Sequence, residues 1–149
     1  MQISPATPRD IAALCELLDV LFSQEAEFEP DREAQSRGLA LIIGNPGAGR
    51  VLVARRDEEI VGMVSLLYTV STALGARVAL LEDMVVAPGS RGAGTGSQLL
   101  QHAIESAQQD GCKRITLLTD RSNDAAQRFY LRHGFASSSM IPLRLFLDE

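Results

Sequence analysis

The apolar and polar positions of this chain fall into two alternating periods. Residues 7–22, TPRDIAALCELLDVLF, place Ile11, Leu14, Cys15, Leu18, Leu21 and Phe22 at three- and four-residue steps, one stripe of helical period. Thr7 can cap that helix, Pro8 suits its first turn, and Asp10 stands at capping-box spacing. A weaker helical pattern, DREAQSRGLALII, follows and stops at the breaker cluster GNPGAG. RVLVAR and IVGMVSLLYTV then read as two strands of a hairpin across the polar turn RDEE. After the loop STALGA comes RVALLEDMVV, a nearly unbroken apolar run with two acids inside it and Pro88 close behind. Such a run is expected of a central strand covered on both faces. A third helix is predicted from about Thr95 to Gln109, with Leu99, Leu100, Ala103, Ile104 and Ala107 inward and Gly111 as terminator. RITLLT is another strand, and NDAAQRFYLRHG a fourth helix, capped by Asn123 or Asp124 and closed by Gly134. SSMIPLRLFL supplies a last strand, placed at an edge because Pro142 has no ladder donor. The order predicts an α/β sandwich around a mixed sheet. No repeat or linker divides residues 1–149, so a single domain is expected.

Composition narrows the partners. Fourteen Lys and Arg against 19 Asp and Glu give a formal charge of −5. That balance disfavours nucleic acid and anionic membranes and favours neutral or cationic small partners. Cys15 and Cys112 lie far apart with no CxxC or neighbouring histidine, so reduced thiols are expected rather than a disulfide or a metal pair. The amino-terminal MQISPATPRD lacks the pattern of a signal peptide, and no apolar stretch approaches the ~20 residues of a membrane span. A cytoplasmic protein without a metal is the expectation.

The chemistry concentrates at RGAGTGSQLL, residues 91–100, just before the third helix. A helix mouth offers unpaired N–H groups at the positive end of its dipole, and glycines there let phosphate oxygens approach the main chain. A P-loop is unsuited, because Thr95 stands where GxxxxGK[ST] needs lysine. A Rossmann site is unsuited too, since the spacing is GxGxG rather than GxGxxG and falls late in the chain. A bland glycine-rich turn remains the structural alternative. The stretch resembles instead the GNAT superfamily of N-acetyltransferases, whose signature [QR]xxGx[GA] follows a central strand and opens a helix. Arg91, Gly92, Ala93, Gly94, Thr95 and Gly96 match it position by position.

A second stretch, NDAAQRFYLRHGF at 123–135, is similar to the fourth-helix signature N-x-x-A-x-x-F-Y-x-x-x-G-F of the same superfamily. Its spacing sets Asn123, Gln127 and Tyr130 along one helical stripe. Taken alone, Asn123 is a plain cap, Phe129 and Tyr130 are core aromatics, Arg132 is a solvated cation and His133 a favourable charge at a helix end. The resemblance, which covers nearly the whole chain, implies more. It implies a mostly antiparallel sheet of six or seven strands flanked by about four helices, and acetyl-CoA as co-substrate. Backbone groups of Met84, Val85 and Val86 would hold the pantetheine arm, with the Val86 amide a donor to the thioester oxygen. The amides of 91–97, Ser97 included, would bind pyrophosphate, Asn123 would bond pantetheine, and Arg132 would contact the terminal phosphate. Tyr130 would protonate the departing thiolate, as a phenol titrating near ~10 can at neutral pH.

Glu82 and Asp83 stand inside the apolar strand, where an unpaired carboxylate costs several kcal/mol. Strand alternation sends them to opposite faces unless a bulge intervenes. Glu82 is the first choice for a general base acting through water, Asp83 the second, and a structural role for both is the alternative. Tyr68, Ser71, Thr72, Leu81, Glu82 and Asp83 in YTVSTALGARVALLEDMVV match the diamine (polyamine and thialysine) acetyltransferase branch. That similarity implies a small cationic amine bound by Tyr68, Glu82 and Asp83. Glu25, Glu27 and Glu29 would suit a polycation, although a solvated helix end explains them equally. Aminoalkylphosphonates, aminoglycosides and protein α-amines or lysines remain open as acceptors, as does an acetyl-CoA-binding module without turnover. A homodimer is compatible with the edge strand at Pro142.

Overall fold

The computed structural model describes residues 1–25 and 29–147, so Glu27 lies outside the described residues. The chain forms two compact units, Met1–Leu118 and Thr119–Glu149. The first contains β1 (Gln2–Pro5), α1 (Ile11–Ser23), α2 (Arg32–Ile43), β2 (Gly49–Arg56), β3 (Glu59–Ser71), β4 (Ala76–Val86), α3 (Thr95–Gln109) and β5 (Ile115–Leu117). Single 3-10 turns at Pro8–Asp10 and Pro88–Ser90 precede α1 and follow β4. The strands lie in chain order, antiparallel from β1 to β4, with β5 parallel to β4. The sheet is therefore mixed and mostly antiparallel.

Two expectations need correction. Among the described residues the sheet has five strands, not six or seven, and residues 138–147 carry no strand. An apolar pattern only suggests a strand; a paired backbone makes one. No backbone hydrogen bond joins residues 141–147 to other described residues, and Met140, Leu143, Leu145 and Leu147 are each more than four-fifths exposed. Conversely, β1 was not foreseen. Four residues are too few to show a period, and the strand owes its existence to its register with β2, from Gln2 opposite Arg55 to Pro5 opposite Leu52.

Local chemistry fixes the other boundaries. Asp57 and Glu58 both take positive φ, 52° and 68°, making the tight two-residue turn whose twist suits a hairpin. Thr7 N–H donates to the Asp10 carboxylate at 2.8 Å, and Arg55 reaches the same carboxylate at 2.7 Å, tying the start of α1 to β2. The Asp31 side chain caps α2 by accepting from Ala34 N–H. Gln35 then crosses to α1, donating to the Cys15 carbonyl at 3.3 Å and to Asp19 at 3.0 Å.

Alternation along β3 sorts the layers. Met63 packs in one core with Leu14, Leu17 and Leu18 of α1, Leu39 of α2, and Val51, Val53 and Val85. Its neighbour Gly62 faces the other way, where a Cβ would come within 2.7 Å of Leu99 in α3. Hence α1 and α2 cover one face and α3 the other, and β4 is sandwiched as its composition requires. In the second unit, α4 (Asp124–Arg132) is capped by the Asn123 side chain, which accepts from Ala126 N–H at 3.1 Å. It closes at Gly134, φ 97°, with Phe135 N–H donating to the Tyr130 carbonyl at 3.1 Å.

Candidate active site

The glycine stretch stands at the mouth of α3. Gly92 and Gly94 take φ of 84° and 80°, the left-handed region that other residues avoid. A Cβ at either position would meet nothing within 4 Å, so backbone conformation, not crowding, requires glycine there. The first intrahelical bond runs from Gln98 N–H to the Gly94 carbonyl at 3.1 Å, which leaves Thr95 and Gly96 N–H without an intrahelical acceptor. Thr95 Oγ1 is fully buried and has no hydrogen-bond partner among the described residues. Ala93 is exposed, and so is Arg91, whose Nε lies 3.4 Å from the Val86 carbonyl.

The strand leading into this turn has an open edge. β5 pairs with β4 only from Ala79 to Leu81, so among the described residues no strand accompanies Glu82–Val86 on that side. Ala87 N–H donates to the Val61 carbonyl of β3 at 2.8 Å. Amides alternate along a strand, so the Val86 and Met84 N–H groups point the other way, into the open edge.

The two acids of β4 meet a bulge. Ser65 lies opposite Glu82 and Met63 opposite Val85, so the single residue Val64 faces both Asp83 and Met84. Asp83 takes φ 54°, a strained value for a residue with a Cβ. Glu82 shares the face of its register partner Ser65, and the Ser65 hydroxyl lies 3.4 Å from Asp83 Oδ2. The bulge thus cancels the alternation, and both carboxylates occupy the face covered by α1 and α2. Glu82 is exposed there. Burial, reinforced by the negative charges of Glu82 and Glu25, pushes the Asp83 carboxyl up to about 6, against the pull of its Ser65 hydrogen bond.

Tyr68 does not join them. It lies on the α3 face and donates its hydroxyl to Asp110 at the end of α3. Arg50 binds both carboxylate oxygens of Asp110, one of them at 2.9 Å, and the Arg77 guanidinium sits 4.9 Å from the centre of the Tyr68 ring. Desolvation and the Asp110 charge hold this phenol well above its usual range. Glu25 is described and exposed, and it acts electrostatically on Asp83; Glu29 is exposed.

In the second unit, burial pushes the Tyr130 phenol up to about 12. Its ring packs edge-on against Phe129 and Phe135 at centroid distances of 5.2 and 5.6 Å. Gln127 donates to the carbonyls of Asp120 and Arg121 at 3.2 and 2.8 Å, stiffening the turn before α4. Arg132 is exposed, with its guanidinium 6.0 Å from the Phe129 centroid, and the His133 ring lies tilted against the same ring at 4.9 Å.

Residues 11–135 match the model of the acetyltransferase (GNAT) family. The chain belongs to that family. It is 31% identical over 137 residues to the aminoalkylphosphonate N-acetyltransferase of Salmonella typhimurium, covering 92% of this chain and 86% of that one. It is likewise 31% identical over 138 residues to the N-acetyltransferase YhfO of Bacillus subtilis, covering 91% and 89%. The integron cassette protein HFX_CASS3, from the mobile metagenome of Cole Harbour Salt Marsh, superposes with a TM-score of 0.86 at 26% identity over 99% of this chain and 91% of that one. The protein is therefore an acyltransferase, and GNAT acetyltransferases use acetyl-CoA as co-substrate. The wider family is shown; these relatives do not single out the diamine branch.

Two groups of this GNAT chain escaped the sequence reading. Ser65 carried one faint signal, a hydroxyl inside the apolar run IVGMVSLLYTV. The orphaned hydroxyl of Thr95 carried none, because only burial distinguishes it from a helix-start threonine that bonds locally. Among the described residues no group of His, Cys, Asp and Glu could hold a metal ion, and no helix is long and apolar enough to cross a membrane.

Proposed function

We propose that this GNAT protein acetylates the primary amine of a small cationic molecule by direct attack within a ternary complex. The observation that carries the reading is the continuity between the open edge of β4 and the mouth of α3. Strand amides at Met84 and Val86 lead into a turn with left-handed Gly92 and Gly94 and the Thr95 and Gly96 amides that have no intrahelical acceptor. A diphosphate at the mouth of α3 would meet the Thr95 and Gly96 amides. Acetyl-CoA, when bound, supplies an activated acyl group; Arg91 and the amides of 91–97 would hold its diphosphate, and Met84–Val86 its pantetheine.

The protein's own groups then divide the proton work. Asp83 is the better base of the pair, because a carboxyl near 6 is ionised at neutral pH yet more basic than an ordinary carboxylate. Glu82 lies on the same face and, with Glu25, favours an ammonium ion arriving there. The Val86 N–H faces the open edge, where it would donate to the acyl oxygen. Tyr130, protonated at neutral pH, would give its proton to the departing sulfur, and Asn123 and Arg132 would steady the pantetheine and terminal phosphate. The matched motif of the fourth helix supports the roles of Tyr130 and Asn123, and that of Arg132 rests on the wider family resemblance.

One relative favours a second reading, an amine that carries a phosphonate, since the Salmonella typhimurium protein is named for aminoalkylphosphonates. Release of free thiol from acetyl-CoA across a panel of diamines, polyamines, aminoalkylphosphonates, aminoglycosides and peptide α-amines separates the readings. Turnover confined to the diamines and polyamines supports the cationic acceptor. Preference for aminoalkylphosphonates transfers the assignment to the second class, and no turnover with any amine overturns the enzymatic reading.

A further inference from the structure

Resting on the assignment of Asp83 as base, we propose that Ser65 is its positioning residue: the buried hydroxyl holds the Asp83 carboxylate at the bulge, on the face it shares with Glu82. Three observations carry this. Ser65 is completely buried at the centre of β3, in a stretch whose neighbours from Val61 to Leu66 are otherwise apolar or glycine. A hydroxyl in such a place needs a partner, and among the described residues it finds one not in its register partner Glu82 but in the bulged residue, Asp83 Oδ2 at 3.4 Å. Asp83 reaches that position only by adopting φ 54° where one β3 residue opposes two of β4. Strain of this kind persists when surrounding contacts over-determine it.

The arrangement gives two neighbouring acids on one face different surroundings, Glu82 exposed and Asp83 against the Ser65 hydroxyl. The charged groups acting on Asp83 are Glu82 on its own strand and Glu25 beyond α1, both acids, and Ser65 supplies the opposing hydrogen bond. Both charges raise the proton affinity of Asp83, and the hydroxyl restrains it by stabilising the ionised form. With the hydroxyl, the carboxylate is oriented and ionised at neutral pH; without it, the proton is held to higher pH and the side chain loses its fixed direction.

The test is a carbon NMR titration of the aspartate carboxyls in the full-length protein. It uses wild type, Ser65→Ala and Ser65→Thr, with Asp83→Asn to identify the signal. The wild-type Asp83 carboxyl is expected to titrate near 6, the alanine variant about half a unit higher, and the threonine variant at the wild-type value. In parallel, the acid limb of kcat/KM is measured with spermidine and with 2-aminoethylphosphonate. It should move with the NMR midpoint in Ser65→Ala, return in Ser65→Thr, and disappear in Asp83→Asn. An unmoved midpoint in folded Ser65→Ala overturns the positioning role whatever the kinetics. A midpoint that moves while Asp83→Asn keeps its limb and rate confirms the hydrogen bond but overturns Asp83 as base. A role confined to packing would lower the melting temperature and leave both midpoints in place.

Discussion

Gly94→Val separates the glycine turn from the fold. Gly94 holds φ 80°, and a Cβ built there meets nothing within 4 Å, so the valine has room. What it lacks is a comfortable backbone. A β-branched residue kept in the left-handed region costs about 1–3 kcal/mol. If the chain pays that cost, stability falls by the same amount, a drop of roughly 2–10 °C in melting temperature for a chain this size. If it relaxes to negative φ instead, the Thr95 and Gly96 amides swing away from the point where a diphosphate would sit. In that second case the ligand must restore the left-handed turn before the amides can meet it. At tenfold per 1.4 kcal/mol, coenzyme A should then bind about 5- to 150-fold more weakly while circular dichroism stays that of a folded protein. Gly89→Ala is the control, because Gly89 is free of both positive φ and close neighbours; its affinity should be unchanged. Isothermal titration with coenzyme A reads the difference. A folded Gly94→Val protein with both wild-type affinity and wild-type melting temperature would refute the assignment of this turn.

Tyr130→Phe should lower kcat at least tenfold and leave coenzyme A affinity within about twofold, since the hydroxyl acts on the departing sulfur only during reaction; equal losses in both would remove its role as acid. Asp83→Asn should stabilise the protein by roughly 2–3 kcal/mol at pH 8, because a carboxyl raised to about 6 from its ordinary ~3.9 penalises the folded state once ionised. Being a raised acid, it leaves stability intact below about pH 4 and subtracts from it progressively up to about 6. The variant's advantage in urea melts should therefore grow across that window and then level off; a destabilised variant at pH 8 would contradict it. Asp110 is the opposite case, held at about 2 by Arg50 first and by the Tyr68 hydroxyl, against some desolvation. Its depressed value contributes stability above about pH 4 that is lost as pH falls toward 2, about 1–2 kcal/mol after screening at the partly exposed Arg50. Asp110→Asn should cost that much at pH 7 and almost nothing at pH 2, by the same melts.

Much of this was legible because it is local. The period of α1, the breakers after α2 and the glycine turn before α3 are written in consecutive residues, and α3 runs from Thr95 to Gln109 as its pattern predicts. Pairing is less legible. β1 exists through β2, and residues 138–147 have the alternation of a strand without backbone partners among the described residues. The acids of β4 mark the same boundary. LED in sequence promises two carboxylates on opposite faces unless a bulge intervenes, and only the pairing with β3 shows that one does, with Asp83 in left-handed backbone beside Glu82. Tyr68 shows the converse, a residue matched by motif whose hydroxyl is spoken for by Asp110, a residue 42 positions away.

The central claim is that the open edge of β4 and the mouth of α3 form one continuous main-chain site. Amide hydrogen exchange resolved by residue, with and without saturating coenzyme A, tests it most directly. Exchange should slow at Met84, Val86 and the amides of 92–96, with the amides facing β3, such as Ala87, little changed. Protection concentrated elsewhere in the chain, with those amides exchanging as freely as before, would contradict it.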